Sequence, residues 1–206
     1  MRWAKRVAAA LGVALATALA VGGPGLIGSK HDFAAFGWSG SEICKPCHTP
    51  HGAQPVGPLW NHQLSQGTTY ALYQSETLIA TPEQPGPPSK LCLSCHDGVV
   101  ALGSFGGQSG STHMTGSARV GTDLSNDHPI GIRWEHQTGW VSCSNCHDLH
   151  GGGPALLGSV LPFYSSNDRY RIECPTCHEP HNNSNHTYML RKTLINSAIC
   201  FHCHDI

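Results

Sequence analysis

Apolar residues are scattered along most of this chain, and only one stretch is continuously apolar. Val7 to Val21 reads VAAALGVALATALAV without a charge, and the preceding MRWAKR carries Arg2, Lys5 and Arg6. A basic start, an apolar run too short for a comfortable membrane span, and the small-x-small triplet Ala18-Leu19-Ala20 predict a signal peptide over residues 1–20. No Cys follows that run closely enough for lipid attachment, since Cys44 is the first. No later segment approaches membrane length. The expectation is a single mature domain over residues 21–206, periplasmic or extracellular, with no integral membrane segment after cleavage.

Elsewhere the polarity pattern predicts little regular structure. Thr68 to Ala80 and Tyr188 to Ala198 are the two candidate short helices. Thr81 to Ser89 (TPEQPGPPS) and the Gly/Ser run from Gly103 to Ser117 read as linkers or surface loops. Strands should be few.

Composition sharpens this picture. Only 12% of residues are charged, and 24 Gly and 14 Pro leave a chain poor at building regular elements and short of a conventional core. Such a chain needs staples. Without Arg2, Lys5 and Arg6, nine basic residues face thirteen acidic ones, a net charge of −4 that argues against nucleic acid as a partner.

The staples are in the cysteines. All ten fall into C-x-x-C-H, at Cys44/Cys47/His48, Cys92/Cys95/His96, Cys143/Cys146/His147, Cys174/Cys177/His178 and Cys200/Cys203/His204. Cysteines three apart on one helical turn face the same way, as two thioether bonds to one edge of a porphyrin require. The His that follows projects beneath the ring as the proximal iron ligand. Five haem c groups are therefore expected, with each motif at the start of a short helix, haems 1–2 within about 31–135 and haems 3–5 within about 136–206. Zinc would need the C-x-x-C pairs in twos, and neither zinc nor disulfides account for five copies each followed by His. The expected fold is mostly irregular, a multihaem cytochrome c architecture with short α-helices at the motifs and porphyrins filling the core.

Function then turns on the sixth iron position, because an iron with two protein ligands passes electrons while one with an open face can bind a substrate. Ten of the 15 histidines are not proximal, and the mature chain has only Met114 and Met189, so bis-His ligation and low reduction potentials are expected. His51, His150 and His181 recur three residues after a proximal His, in CHTPH, CHDLH and CHEPH. A residue there lies on the proximal side of its own ring and must serve a different haem. Pro50 and Pro180 disfavour helix just before them and would free the next His to swing away. His128 precedes a Pro in a turn-rich loop, and His31 precedes Asp32, a candidate to orient its ring. His62, in Leu-Trp-Asn-His, completes six distal candidates. His113 and His202 read as bystanders, while His136 and His186 stay undecided.

From about Gly28 to Ile206 the sequence resembles bacterial multihaem cytochromes c of the doubled C-x-x-C-H type. The resemblance rests on GSKHD, CKPCHTPHGA, PLWNH, LCLSCHDGVVALG, VGTDLSNDHPIGI, CSNCHDLHG, CPTCHEPHN and the final CFHCH. It implies a low-potential, bis-His electron carrier that serves other redox proteins or extracellular metal acceptors in anaerobic respiration, and it raises His31 and His128 as distal ligands. Some similar proteins form extracellular haem filaments, so a homo-oligomer or filament tied through His31 to the next molecule is a further expectation. The competing class is a nitrite or hydroxylamine reductase with one open iron. It is disfavoured because spare histidines are plentiful and no motif ends in Lys.

Overall fold

The computed structural model describes residues 25–133 and 161–204, apart from Trp38, Ile79, Phe163, Asn167 and Asp168. The expected signal peptide, the whole third motif (Cys143, Cys146, His147), His150 and His136 lie outside the described residues.

Loops and turns dominate. Among the described residues the longest element is helix α1, Pro87–His96, which starts after Gly86 with prolines in its first positions, where a missing N–H costs nothing. It ends at Asp97, whose N–H donates to the Leu93 carbonyl, and the left-handed Gly98 (φ 74°) turns the chain away. Strands β1 (Ile132–Arg133), β2 (Tyr164–Ser166) and β3 (Arg169–Ile172) form one small antiparallel sheet in the order β1-β3-β2. Ile132 pairs with Ile172, and Tyr164 pairs with Arg171. Helix α2, Cys174–Cys177, follows β3 at once and packs against α1. Short 3-10 turns at Phe33–Phe36, Gly116–Ala118, Thr187–Met189, Ile195–Ser197 and Cys200–His202 complete the regular structure among the described residues. None of the described helices is long and apolar enough to cross a membrane.

Four sequence expectations are corrected here. Residues 68–80 are not a helix: the Gln84 side chain takes both the N–H and the carbonyl of Tyr70, at 2.9 Å each, so that backbone pairs across the chain and not along it. Tyr188 to Ala198 holds only two 3-10 turns, since Tyr188, Met189, Asn196 and Ser197 all adopt left-handed φ. The segment from Thr81 to Ser89 is no linker: Pro85, Gly86 and Ser89 are buried and Pro87–Ser89 form the first turn of α1. The second motif ends its helix and does not begin it, because the prolines at residues 87 and 88 nucleate a turn before Cys92.

The protein's own apolar interior is small. Tyr70, Leu93 and Leu124 form one cluster, and Leu161, Leu190 and Ile199 form another that touches Cys177 and Cys200. Large apolar side chains stand exposed beside the motifs instead, among them Leu59, Val99, Tyr188 and Phe201.

Candidate haem-binding site

Two of the motifs open the same local structure. In residues 44–61, the His48 N–H donates to the Cys44 carbonyl (2.9 Å), Thr49 N–H to Leu59 (2.9 Å) and Asn61 N–H to Cys47 (2.9 Å). In residues 174–191 each bond recurs 130 positions on (48 becomes 178, 59 becomes 189): His178 to Cys174 at 3.1 Å, Glu179 to Met189 at 2.7 Å and Arg191 to Cys177 at 2.8 Å. Two left-handed positions match as well, Gly52 (φ 69°) with Asn182 (φ 57°) and Leu59 (φ 56°) with Met189 (φ 54°), whereas the left-handed Asn185 (φ 49°) and Tyr188 (φ 59°) stand where the first module has Pro55 and Pro58.

This backbone fixes the proximal rings. His48 Nδ1–H donates to the Pro58 carbonyl at 2.8 Å and His178 Nδ1–H to the Tyr188 carbonyl at 3.0 Å, again 130 positions apart. The third described case, His96, reaches the Ala118 carbonyl at 2.7 Å. A carbonyl only accepts, so each Nδ1 carries the proton and each Nε2 keeps a free lone pair, the arrangement that metal-bound histidines favour.

The rings opposite them are those of predicted distal histidines. His181 stands 6.2 Å from His48, centroid to centroid, with planes 20° apart. His31 stands 6.2 Å from His96, and His128 stands 6.2 Å from His204. With a metal–nitrogen bond of about 2.0 Å and about 1.15 Å from nitrogen to ring centre, two imidazoles on opposite sides of one metal would have centroids about 6.3 Å apart. Three independent pairs share that spacing. The distal rings are tied in the same manner, His31 Nδ1–H to the Pro180 carbonyl at 3.1 Å and His128 Nδ1–H to Pro129 at 3.2 Å. Burial holds His31 below the usual imidazole range, which keeps it neutral and able to donate a lone pair.

The remaining candidates are placed differently. Asp32 does not orient His31: its carboxylate accepts the Gly28 N–H at 2.8 Å, and Pro180 does the orienting. Asn182 Nδ2 donates to the Gly25 carbonyl at 3.2 Å, so the N-terminal arm folds onto its own chain. His62 is only 1% exposed and lies with Nε2 3.5 Å from Cys95 Sγ, beside a thioether position. His51 is exposed, and among the described residues no second imidazole stands opposite His178. His113 is exposed and bonds to Gly98 at 3.1 Å. His186 is half-buried.

The cysteines fit the thioether role. None of the eight described ones is in a disulfide. Burial pushes the Cys47 and Cys177 thiols up to about 11 and Cys95 up to about 12, so these sites accept uncharged sulfur, which a thioether is. The motifs also have a spatial order. Asn61 bonds the Cys47 carbonyl while its neighbour His62 touches Cys95, which places the first motif beside the second. Cys92 and Cys174 are in side-chain contact, joining the second to the fourth. Cys177 shares an apolar cluster with Cys200, joining the fourth to the fifth.

A buried polar node that sequence reasoning missed joins the second and fourth motifs. Glu173, 1% exposed, accepts the Gly86 N–H on both oxygens at 3.1 Å and the Ser89 hydroxyl. It also takes part in a capping box with Thr176, whose sequence signal is an acidic residue three positions before a Thr at a helix start.

A family model described as the doubled CXXCH motif matches residues 169–206, which contain β3, α2 and the last two motifs. The match makes this a protein similar to multihaem c-type cytochromes, with covalently bound haem c as its cofactor and electron transport as its class of function. No curated protein matches the chain.

Proposed function

We propose that the protein carries five haem c groups with two histidines on each iron, and that it is an electron carrier and not an enzyme. The observation that carries this reading is the set of three opposed imidazole pairs, His48/His181, His96/His31 and His204/His128, each at 6.2 Å. Each haem, when bound, takes up and releases one electron at its iron. The chain's own residues would do the rest: ten cysteines would hold the porphyrin edges, backbone carbonyls accept the Nδ1 protons of His48, His96 and His178 and leave each Nε2 free to ligate, and the distal rings would exclude substrate. His51 and His150 are proposed as distal ligands for the irons of His147 and His178 respectively, each serving the haem of a motif other than its own, with His62 as the competitor.

Among the described motifs, the contacts support a route in the order first, second, fourth, fifth. Export through the N-terminal signal would place this carrier in the periplasm or outside the cell, where a net charge of −4 and ten propionates suit cationic redox partners and metal acceptors.

Spectroscopy of the holoprotein tests the reading. We expect a pyridine haemochrome yield of five haems per chain, an entirely low-spin spectrum, and no binding of carbon monoxide to the native reduced protein. A high-spin band with carbon monoxide or nitrite binding would replace the carrier with a reductase.

A further inference from the structure

Glu173 belongs to no ligand set, yet it is among the most buried groups in the protein and joins the two motifs that stand in contact. Its carboxylate accepts the Gly86 N–H, at the start of the helix that ends in Cys92, Cys95 and His96. Ser89, one turn before Cys92, donates its hydroxyl to Glu173 and accepts the Cys174 N–H at 2.9 Å. The fit is close enough that a Cβ on Gly86 would collide with the carboxylate. Every neutral group facing Glu173 is a donor, the situation that favours an ionised carboxylate. Burial pushes the carboxyl up from its ordinary value, while Ser89, Arg171 and Gly86 pull it back.

A charge on that carboxylate is only partly neutralised by its neighbours. Arg171 Nε lies 3.4 Å from Glu173, but its Nη1 lies 3.5 Å from Glu83 and its Nη2 donates to the Gln84 and Gly131 carbonyls. One guanidinium is thus divided between two carboxylates, and the nearby Lys90 ammonium is solvent-exposed. A buried negative charge stabilises ferric over ferrous iron at short range, because reduction adds one electron and lowers the iron's positive charge.

We propose that Glu173 is a shared positioning and tuning residue that aligns the second and fourth haem motifs and lowers the potentials of those two haems together. The inference rests on haem attachment at Cys92/Cys95 and Cys174/Cys177. Each iron takes one electron, and no proton transfer is required of Glu173.

Redox titration of the holoprotein, with haem content measured in parallel, tests it through E173Q and S89A. The isosteric E173Q should keep the wild-type haem content and low-spin spectrum while two midpoint potentials rise and the others stay in place. S89A keeps the charge but removes a donor that disperses it, and should move the same two potentials downward. A purely structural role would not produce opposite signs. Unchanged potentials in haem-replete E173Q, a shift in one haem only, or an even shift across all of them would overturn the proposal. If E173Q fails to hold haem, the S89A titration decides, and absence of a downward shift in two haems rejects it. Wild-type protein without haem at these motifs would instead reject the carrier reading itself.

Discussion

Residues 44–61 and 174–191 share a backbone hydrogen-bond pattern and two left-handed positions, and they differ in what surrounds them. In the later module His181 faces His48, and the Pro180 carbonyl beside it holds His31 against His96. In the earlier module His51 occupies the equivalent place and is exposed. Local sequence makes a loop that projects a histidine away from its own motif, and tertiary packing decides where that histidine goes. A C-x-x-C-H-x-P-H motif therefore fixes the setting of its first histidine locally and leaves that of its second to tertiary packing.

The largest effects that could break this comparison come from removing either module's attachment points. The double variant C174S/C177S should lose one haem equivalent by pyridine haemochrome and also lower thermal stability more than C44S/C47S does. The later pair packs against α1 and against Leu190 and Ile199, whereas Cys44 is exposed. Equal melting temperatures would show the two modules to be equally embedded.

Next in size is the exchange of distal roles. H181A should convert the haem of His48 to a high-spin, carbon-monoxide-binding form, and H51A should leave that haem low-spin. A high-spin signal at the His48 haem in H51A would reverse the assignment of His181.

A smaller effect is expected outside both modules. The Tyr70 hydroxyl donates to Asp97 Oδ2 at 2.8 Å, and Asp97, fully buried, also accepts the Val99 N–H at 2.8 Å just after the proximal His96. Y70F should cost about 2 kcal/mol in denaturant unfolding, the range for a hydrogen bond to a buried charge, with haem content unchanged.

The smallest effect sharpens the match between the modules. G52A places a Cβ at φ 69° in open space and should cost about 1 kcal/mol from backbone strain alone. N182G should be nearly neutral, because relief at φ 57° is offset by loss of the bond to Gly25. A large loss in N182G would mean that the arm contact matters more than the backbone.

The chemistry was far more legible in the sequence than the architecture. Pro180 does precede a histidine that reaches another motif, His181 opposite His48. His31 and His128 could be singled out as candidates, but their partners could not, because the contact of His31 with Pro180 spans 149 positions and no local pattern encodes it. The helices failed where side chains outbid the backbone, as Gln84 does at Tyr70. The Pro-rich segment before Cys92 misled for the opposite reason: prolines that end one kind of structure begin another when Gly86 and a buried carboxylate receive them. Glu173 itself gave a capping signal too short to stand out among loops.

The reach of Pro180-His181-Asn182 back to residues 25–48 has a consequence in time. A chain emerges from its N-terminus, so the first two haem motifs are available for attachment long before the segment that completes them exists. The sites made earliest are closed last, and until residue 182 arrives their outer faces stay open to whatever ligand is present. Truncation between the second motif and that tripeptide would leave two early sites unfinished, which makes the late module the timekeeper of the early ones.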